Sequence, residues 1–234
     1  EDLGYFAKGN HGADFLIKDM HRLTLIMKKN YPDLPYVLIG HSMGSYMSRK
    51  YASIYGDELD GVIFLGTGNQ PKAVVDSGLK LAHIAKLVRG ERYRSELLNT
   101  IMFGAYNKRI KDNRTANDWL TKDTKIVDEY LSDPKCSYKF TANAYIGFLN
   151  VIKYDIDKKN IAKTPDKLPV LFASGLEDPV GDYGKGVKKA FKMYTKYVDN
   201  VELYLYEDDR HELHSETDRE DIFSDLYEWI EENV

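Results

Sequence analysis

The apolar residues of this chain fall into short runs and amphipathic stretches that alternate along it. Four runs are rich in β-branched or aromatic residues and have the length of strands buried on both faces. They occupy positions 37–39, 59–66, 169–175 and 201–206. Four other stretches repeat their apolar residues with the spacing of an amphipathic helix. They occupy positions 16–29, 43–55, 186–197 and 219–232, with Gly56 placed to end the second of them. Because strands alternate with helices, we predict parallel βαβ units and an α/β fold.

The alternation is interrupted in the middle of the chain. Between positions 69 and 168 the pattern is helical and includes no convincing strand. The helical stretches there are 77–90, 95–103, 117–131 and 141–154. We therefore interpret residues 1–68 and 169–234 as an α/β core, and residues 69–168 as a helical cap inserted into it.

At one point a predicted strand passes directly into a predicted helix, and a serine lies between small residues there. The segment reads Gly40-His41-Ser42-Met43-Gly44, a G-x-S-x-G pentapeptide. A sharp reversal strains and crowds the backbone, and small residues two positions before and after the serine relieve that crowding. The hydroxyl then projects from the strand end, so Ser42 is a candidate nucleophile.

A serine hydroxyl needs a base within hydrogen-bond reach, and a carboxylate best holds that base in one tautomer. The functional groups of a parallel sheet gather at the carboxyl ends of its strands. Asp178 follows the strand predicted at 169–175, and His211 follows the strand predicted at 201–206. The order Ser42, Asp178, His211 along the chain is that of α/β-hydrolases.

Neighbouring residues compete for two of these positions. His214 is the alternative to His211 as the base, and Glu177 and Asp182 are alternatives to Asp178. Asp178 is favoured because it stands at a strand end directly before a proline.

The remaining histidines have simpler interpretations. The side chain of His41, beside the serine, is expected to point away from the site. His21 and His83 lie on predicted helices and read as ordinary surface or packing residues. The two histidines of the His211–His214 segment are three positions apart, whereas a zinc-binding H-E-x-x-H motif needs them four apart on one helical face. We therefore predict no metal site.

Composition narrows the classes of function. The chain has 234 residues, 37 acidic against 33 basic, and a net charge of −4, which argues against nucleic-acid binding because that requires a concentrated basic face. No stretch has the apolar length of a membrane span or the pattern of a signal peptide. The single cysteine, Cys136, reads as a small buried residue, and a chain without internal disulfides fits a cytoplasmic location.

Together these motifs resemble the α/β-hydrolase superfamily, and within it the lysophospholipase and monoacylglycerol-lipase-like branch that is grouped with serine aminopeptidases. The resemblance spans nearly the whole chain. It is carried by Gly40–Ser45, Gly66–Gly68, Ser174-Gly175 with Asp178–Gly181, Tyr206–Leu213, and in the cap by Asp118–Leu120 and Asp133–Cys136. It implies that Ser42 is the nucleophile, His211 the general base and acid, and Asp178 the residue that orients His211.

The oxyanion hole departs from the family pattern. One donor should be the backbone N–H of Met43, immediately after the nucleophile. The second donor normally comes from an early loop after a strand, and no strand is predicted before position 16. We interpret His11-Gly12 as the entry turn of the first helix, so the second donor is not identified. We therefore expect the family's first strands to be missing from this chain.

Three functions follow as hypotheses. The first is hydrolysis of lipid esters, as by a lysophospholipase or monoacylglycerol lipase, which needs no cofactor. A stripe of apolar residues in the cap would then face the lipid, although the simpler interpretation is that this stripe packs the cap onto the sheet. The stripe comprises Leu79, Leu81, Ile84, Leu87 and Val88. The second is an aminopeptidase that holds a substrate amine with cap carboxylates. These are Asp112, Asp118, Asp123, Asp128 and Glu129. The third is a catalytically incompetent or lipid-binding domain that needs a separate N-terminal chain or a second copy.

Overall fold

A computed structural model describes residues 2–111 and 113–234 of the chain, so Glu1 and Asp112 lie outside the described residues. Its centre is a parallel four-stranded sheet with the order β1-β2-β3-β4. The strands are β1 (Val37–His41), β2 (Gly61–Leu65), β3 (Val170–Gly175) and β4 (Val201–Tyr206). The four apolar runs therefore form the four strands, and the predicted α/β fold is confirmed.

Nine α-helices flank this sheet within the described residues. They are α1 (Gly12–Asn30), α2 (Met43–Tyr55), α3 (Lys72–Arg89), α4 (Glu96–Phe103), α5 (Thr124–Ser132), α6 (Ala142–Asp155), α7 (Lys158–Ile161), α8 (Lys185–Tyr194) and α9 (Arg219–Asn233). Five of them, α3 to α7, lie between β2 and β3, and the described part of that connection includes no strand. No described helix is long and apolar enough to cross a membrane.

One of two local predictions was wrong. The stretch 117–131 is helical only from Thr124 onward, because the Asp123 carboxylate accepts the N–H groups of Lys125 and Ile126 and starts α5 there. Gly56 ends α2 as predicted, since the helix runs to Tyr55. Its φ is −63°, so the ending is not left-handed, and the chain continues into a short 3₁₀ turn. Pro165 packs 2.6 Å from where a Cβ would stand, so closeness to Pro165 requires the glycine.

The two faces of the sheet are covered differently. Trp229, Leu226 and Ile222 of α9 cover one face, and the buried indole of Trp229 donates a 2.9 Å hydrogen bond to Glu202 of β4. Helices α1, α2, α6 and α8 build the larger core on the other face. Burying both faces of a parallel sheet in this way leaves its carboxyl edge free to carry a site.

Strand β1 lies at an edge of the sheet. Ser42 donates its N–H to the Leu65 carbonyl, and the Tyr36 carbonyl accepts from Asp60, so alternate residues of β1 face β2. The N–H and C=O groups of Val37 and Ile39 therefore point away from the sheet. The Ile39 side chain is 50% exposed. An unpaired strand edge with an exposed apolar side chain is a template for pairing with another strand.

This edge predicts concentration-dependent self-association that Ile39→Lys reduces, because a charge on an edge strand opposes strand pairing. The unfolding free energy should change by less than about 0.5 kcal/mol, since the side chain is half exposed. Size-exclusion chromatography with light scattering across a concentration series measures the effect. Ile54→Lys is the matched control, because Ile54 is 46% exposed but lies on helix α2. Equal behaviour of the two variants would contradict the prediction.

Candidate active site

Ser42 occupies the junction of β1 and α2 in a strained backbone conformation. Its φ is +52° and its ψ is −121°, in a region that non-glycine residues rarely adopt. Hydrogen bonds to both the N–H and the C=O group of Ser42 stabilise this strained conformation. The Ser42 N–H bonds the Leu65 carbonyl at 3.0 Å, and the Ser42 carbonyl accepts the N–H of Ser45 at 2.9 Å and its hydroxyl at 2.6 Å.

The two glycines of the pentapeptide are not equivalent. A Cβ at Gly40 would overlap the Ser48 hydroxyl and lie 2.6 Å from the Gly44 carbonyl oxygen, so helix α2 packs directly against Gly40. A Cβ at Gly44 would meet nothing within 4 Å. The expectation that small residues are needed on both sides of Ser42 is therefore wrong for Gly44, since only Gly40 faces the crowded side of the turn.

Asp178 and His211 meet beyond the ends of β3 and β4. The Oδ2 atom of Asp178 lies 3.0 Å from Nδ1 of His211, and both side chains are almost wholly buried. The other oxygen, Oδ1, accepts the Val180 N–H at 2.8 Å. Because an ionised carboxylate only accepts, Nδ1 of His211 carries the hydrogen and Nε2 is left as the acceptor.

That acceptor nitrogen is available to Ser42. Nε2 of His211 is buried and has no hydrogen-bond partner within residues 2–111 and 113–234. Ser42 and His211 line the same cavity. Catalytic hydrogen bonds often shorten only when substrate is bound. The arrangement has the parts that a serine nucleophile needs. These are a strained serine on the cavity wall, an imidazole nitrogen that no described residue engages, and an orienting carboxylate.

The competing residues take no part in the hydrogen bond between Asp178 and His211. His214 packs its ring against His41 at 4.6 Å between ring centres, whereas His211 makes the described hydrogen bond to Asp178. Glu177 and Asp182 are exposed. His21 stacks on the ring of a neighbouring tyrosine and bonds Glu58 at 2.8 Å, as expected of a packing residue.

His41 does not point away from the site, so that expectation was wrong. Along β1 its side chain follows Val37 and Ile39 on the α9 face, where the loop after β4 crosses the strand end. Its ring lies 4.8 Å from the His211 ring, and its Nε2 lies 3.1 Å from the His211 carbonyl. Burial and the two neighbouring histidines lower the pKa of His41 to about 3. The neutral ring donates to that carbonyl and anchors the backbone of His211.

Two further residues enclose His211 and were missed from sequence. The Trp119 ring lies 5.0 Å from the His211 ring, and Trp119 is only 8% exposed. Gly66 has a φ of +58°, and a Cβ there would stand 3.0 Å from the imidazole. Both residues belong to motifs that carry the family resemblance, Gly66–Gly68 and Asp118–Leu120, but the sequence carries no information about their contacts with His211.

The oxyanion donors are described only in part. Met43 is the first residue of α2, so its N–H has no partner within the helix and remains a candidate donor. His11 stands at the N-terminal cap of α1 with its side chain 81% exposed and 3.3 Å from Asp14. No described strand precedes α1. A second donor is not assigned within the described residues.

The cavity beside Ser42 has a volume of about 1310 Å³ and extends under the helices between β2 and β3. Its apolar lining includes Val75, Leu81, Phe103, Trp119 and Leu149. A concave, mostly apolar cavity with a few convergent polar groups is the usual form of a small-molecule site.

A parallel sheet flanked by helices, with this strand-to-helix serine at its carboxyl edge, defines the α/β-hydrolase fold. Over residues 8–218 the chain matches the family described as serine aminopeptidase, S33, and it belongs to that family. A monoglyceride lipase homolog of monkeypox virus is 21% identical over 216 residues, which cover 92% of this chain and 69% of that protein.

Solved structures agree with this assignment. A highly thermostable carboxyl esterase from Bacillus coagulans, in complex with glycerol, is 28% identical with a TM-score of 0.88, covering 97% of this chain and 73% of that one. A lipase in an open form is also 28% identical, with a TM-score of 0.85 over 96% of this chain and 73% of that one.

The difference between the two glycines gives a matched pair of variants. We expect Gly40→Ala to lower the unfolding free energy by roughly 1–3 kcal/mol, because the added methyl group overlaps α2. We also expect Ser42 to lose its reactivity in this variant. We expect Gly44→Ala to keep both stability and reactivity, since the methyl group meets open space. Thermal unfolding and the rate of labelling by a fluorophosphonate measure the two effects. A loss of reactivity in Gly44→Ala equal to that in Gly40→Ala would contradict this view of the turn.

Proposed function

We propose that this chain is a serine hydrolase that cleaves carboxylic esters of lipids, as a lysophospholipase or monoacylglycerol lipase does. One observation carries the proposal. Asp178 holds His211 with its free imidazole nitrogen on the wall of the same large apolar cavity as Ser42. The named lipase and esterase relatives support it.

In this mechanism Ser42 attacks the acyl carbonyl while Nε2 of His211 takes the hydroxyl proton. The Met43 N–H binds the oxyanion of the tetrahedral intermediate. His211 then gives its proton to the leaving alcohol, and an acyl-enzyme forms on Ser42. A water molecule, deprotonated by His211, releases the fatty acid and restores the serine. Asp178 stabilises the imidazolium in both steps.

Residues 69–168 act as the cap in this proposal. Of the predicted stripe, Leu79 is buried in the core and Leu81 lines the cavity. Ile84, Leu87 and Val88 are exposed. The residues of the stripe therefore lie in three different places, namely the core, the cavity wall and the surface. Leu81 is the residue of the stripe that would contact an acyl chain.

An aminopeptidase is the second candidate, favoured by the family's description. Such an enzyme needs acidic groups that face the substrate amine. The described cap carboxylates expected to do this do not line the cavity, and Asp118 and Asp123 are engaged in local hydrogen bonds. Asp112 lies outside the described residues. Within the described residues, the acids that line the cavity are Asp182 and Glu212, which a substrate amine could meet. The ester reading is preferred because the rest of the lining is mostly apolar.

The third reading is a domain that becomes competent only with a separate N-terminal chain or a second copy. Its support is the open edge of β1, where Ile39 is half exposed. A catalytically competent chain reacts alone, so the labelling experiment below separates this reading from the first.

Covalent labelling tests the proposed nucleophile. We expect a fluorophosphonate to label the parent chain and not Ser42→Ala, with intact-mass measurement giving one adduct. We expect Asp178→Asn to slow labelling by about 10⁴-fold, because the amide leaves His211 in the wrong tautomer. Equal labelling of parent and Ser42→Ala would contradict the assignment, and an unlabelled parent would favour the third reading.

Substrate preference tests the cavity. We expect p-nitrophenyl dodecanoate to be hydrolysed with a higher kcat/KM than the acetate, and both to exceed aminoacyl anilides. Leu81→Trp should lower kcat/KM for the dodecanoate by about tenfold and leave the acetate unchanged, because the larger indole takes up part of the cavity that a long acyl chain needs. Leu87→Trp on the same helix is the control, since Leu87 is 87% exposed. Faster turnover of aminoacyl anilides would favour the peptidase.

A further inference from the structure

A segment of the region between β2 and β3 is joined to the loop that carries His211. We call residues 118–122 the cap segment and residues 207–216 the His211 loop. The cap segment lies between a short 3₁₀ turn and α5, and the His211 loop follows β4. Neither belongs to a regular sheet or α-helix. Their contacts are therefore specific side-chain and backbone hydrogen bonds.

The backbones of the two segments are linked directly and through Arg210. The Glu212 N–H donates to the Leu120 carbonyl at 2.7 Å. The Arg210 guanidinium donates to the carbonyls of Asp118 at 2.6 Å and Thr121 at 2.9 Å. Residues on both sides of His211 in sequence are thus attached to the cap segment.

The buried side chain of Glu216 also connects the cap segment to the His211 loop. It is wholly buried, and its Oε1 accepts the Arg210 N–H at 2.7 Å. Its Oε2 accepts the Thr121 hydroxyl and the Lys122 N–H, both at 3.0 Å. A buried carboxylate is costly unless it is hydrogen-bonded, and these three donors come from two separate parts of the chain.

A second buried carboxylate lies beside this connection. The Lys122 ammonium pairs with Asp209, which is wholly buried, and lies 3.7 Å from Asp218. The cation therefore occupies the space between the acidic groups of the His211 loop and the start of α9. Trp119, in the same cap segment, covers the His211 ring.

We infer that Glu216 is a positioning residue for the general base, and that it acts by fixing the Arg210–His211 backbone to the cap segment. Asp178 sets the rotation of the His211 imidazole, whereas Glu216 sets the position of the His211 backbone. The inference rests on the proposed function, because it assigns a role relative to His211 in that reaction.

Two threonines give a matched test of this role. Thr121 and Thr141 are each 1% exposed, and the hydroxyl of each makes several hydrogen bonds. Thr141 caps α6 and bonds Gly4, away from the His211 loop. We expect Thr121→Val to slow fluorophosphonate labelling of Ser42 by about tenfold, because a displaced base is a poor one. Thr141→Val should lose similar thermal stability but less than about twofold in labelling.

A double-mutant cycle separates positioning from general loss of structure. We expect Glu216→Gln to slow labelling by roughly 10–100-fold in the parent, since the amide cannot accept from the Thr121 and Lys122 donors together with Arg210. In a His211→Ala background, where labelling is slow and is measured at high probe concentration, the same change should have less than about a twofold effect, because the group that Glu216 positions is already gone.

The outcomes are distinguishable. Equal losses in Thr121→Val and Thr141→Val, or an equal effect of Glu216→Gln with and without His211, would overturn the positioning role and leave the proposed function intact. A parent that is not labelled would overturn both. If Glu216→Gln fails to fold, the threonine pair decides the matter.

Discussion

The hydrogen bond between the Asp178 carboxylate and the His211 imidazole is the interaction on which the rest of the site depends. A carboxylate removed from water must have its oxygens satisfied, and Asp178 receives the Val180 N–H, the His211 N–H and a weak 3.4 Å contact from the Ser174 hydroxyl. Ser174 lies in β3, Val180 in the loop after β3, and His211 in the loop after β4. Burial of one charge therefore specifies how two loops meet, and this in turn fixes the tautomer of the base.

The parallel sheet makes that meeting possible. Strands β1, β3 and β4 run in one direction, so the residues that follow them converge at one edge. The loops after β3 and β4 are also bonded to each other, with Glu177 N–H donating to the Asp209 carbonyl at 2.8 Å. A Cβ at Gly175 would overlap that same carbonyl, which shows how closely the loops approach. Backbone contacts thus bring the acid and the base together before their side chains are considered.

The sequence predicts the parts of this arrangement that follow from local periodicity and chain order. Apolar runs predict all four strands, and the residues at their ends include Ser42, Asp178 and His211, because strand ends of a parallel sheet must converge. The positions of His41, Trp119 and Glu216 are not predictable in this way. Each depends on which loop crosses which strand end, and such contacts join residues far apart in sequence without leaving a periodic pattern.

These contacts also constrain how a cap can move. Separating the cap segment from the His211 loop would leave Glu216 with only the Arg210 N–H and would remove the Lys122 ammonium from the buried Asp209. Each lost partner costs about 1–3 kcal/mol. Helices α3 and α4 are held by apolar packing instead, since Val75, Leu79 and Leu98 belong to the larger core. We therefore expect any opening of the cavity to leave the cap segment attached to the His211 loop. Trp119 and the cap segment then stay in contact with the His211 loop, so in the proposed mechanism the entry of a substrate need not disturb His211.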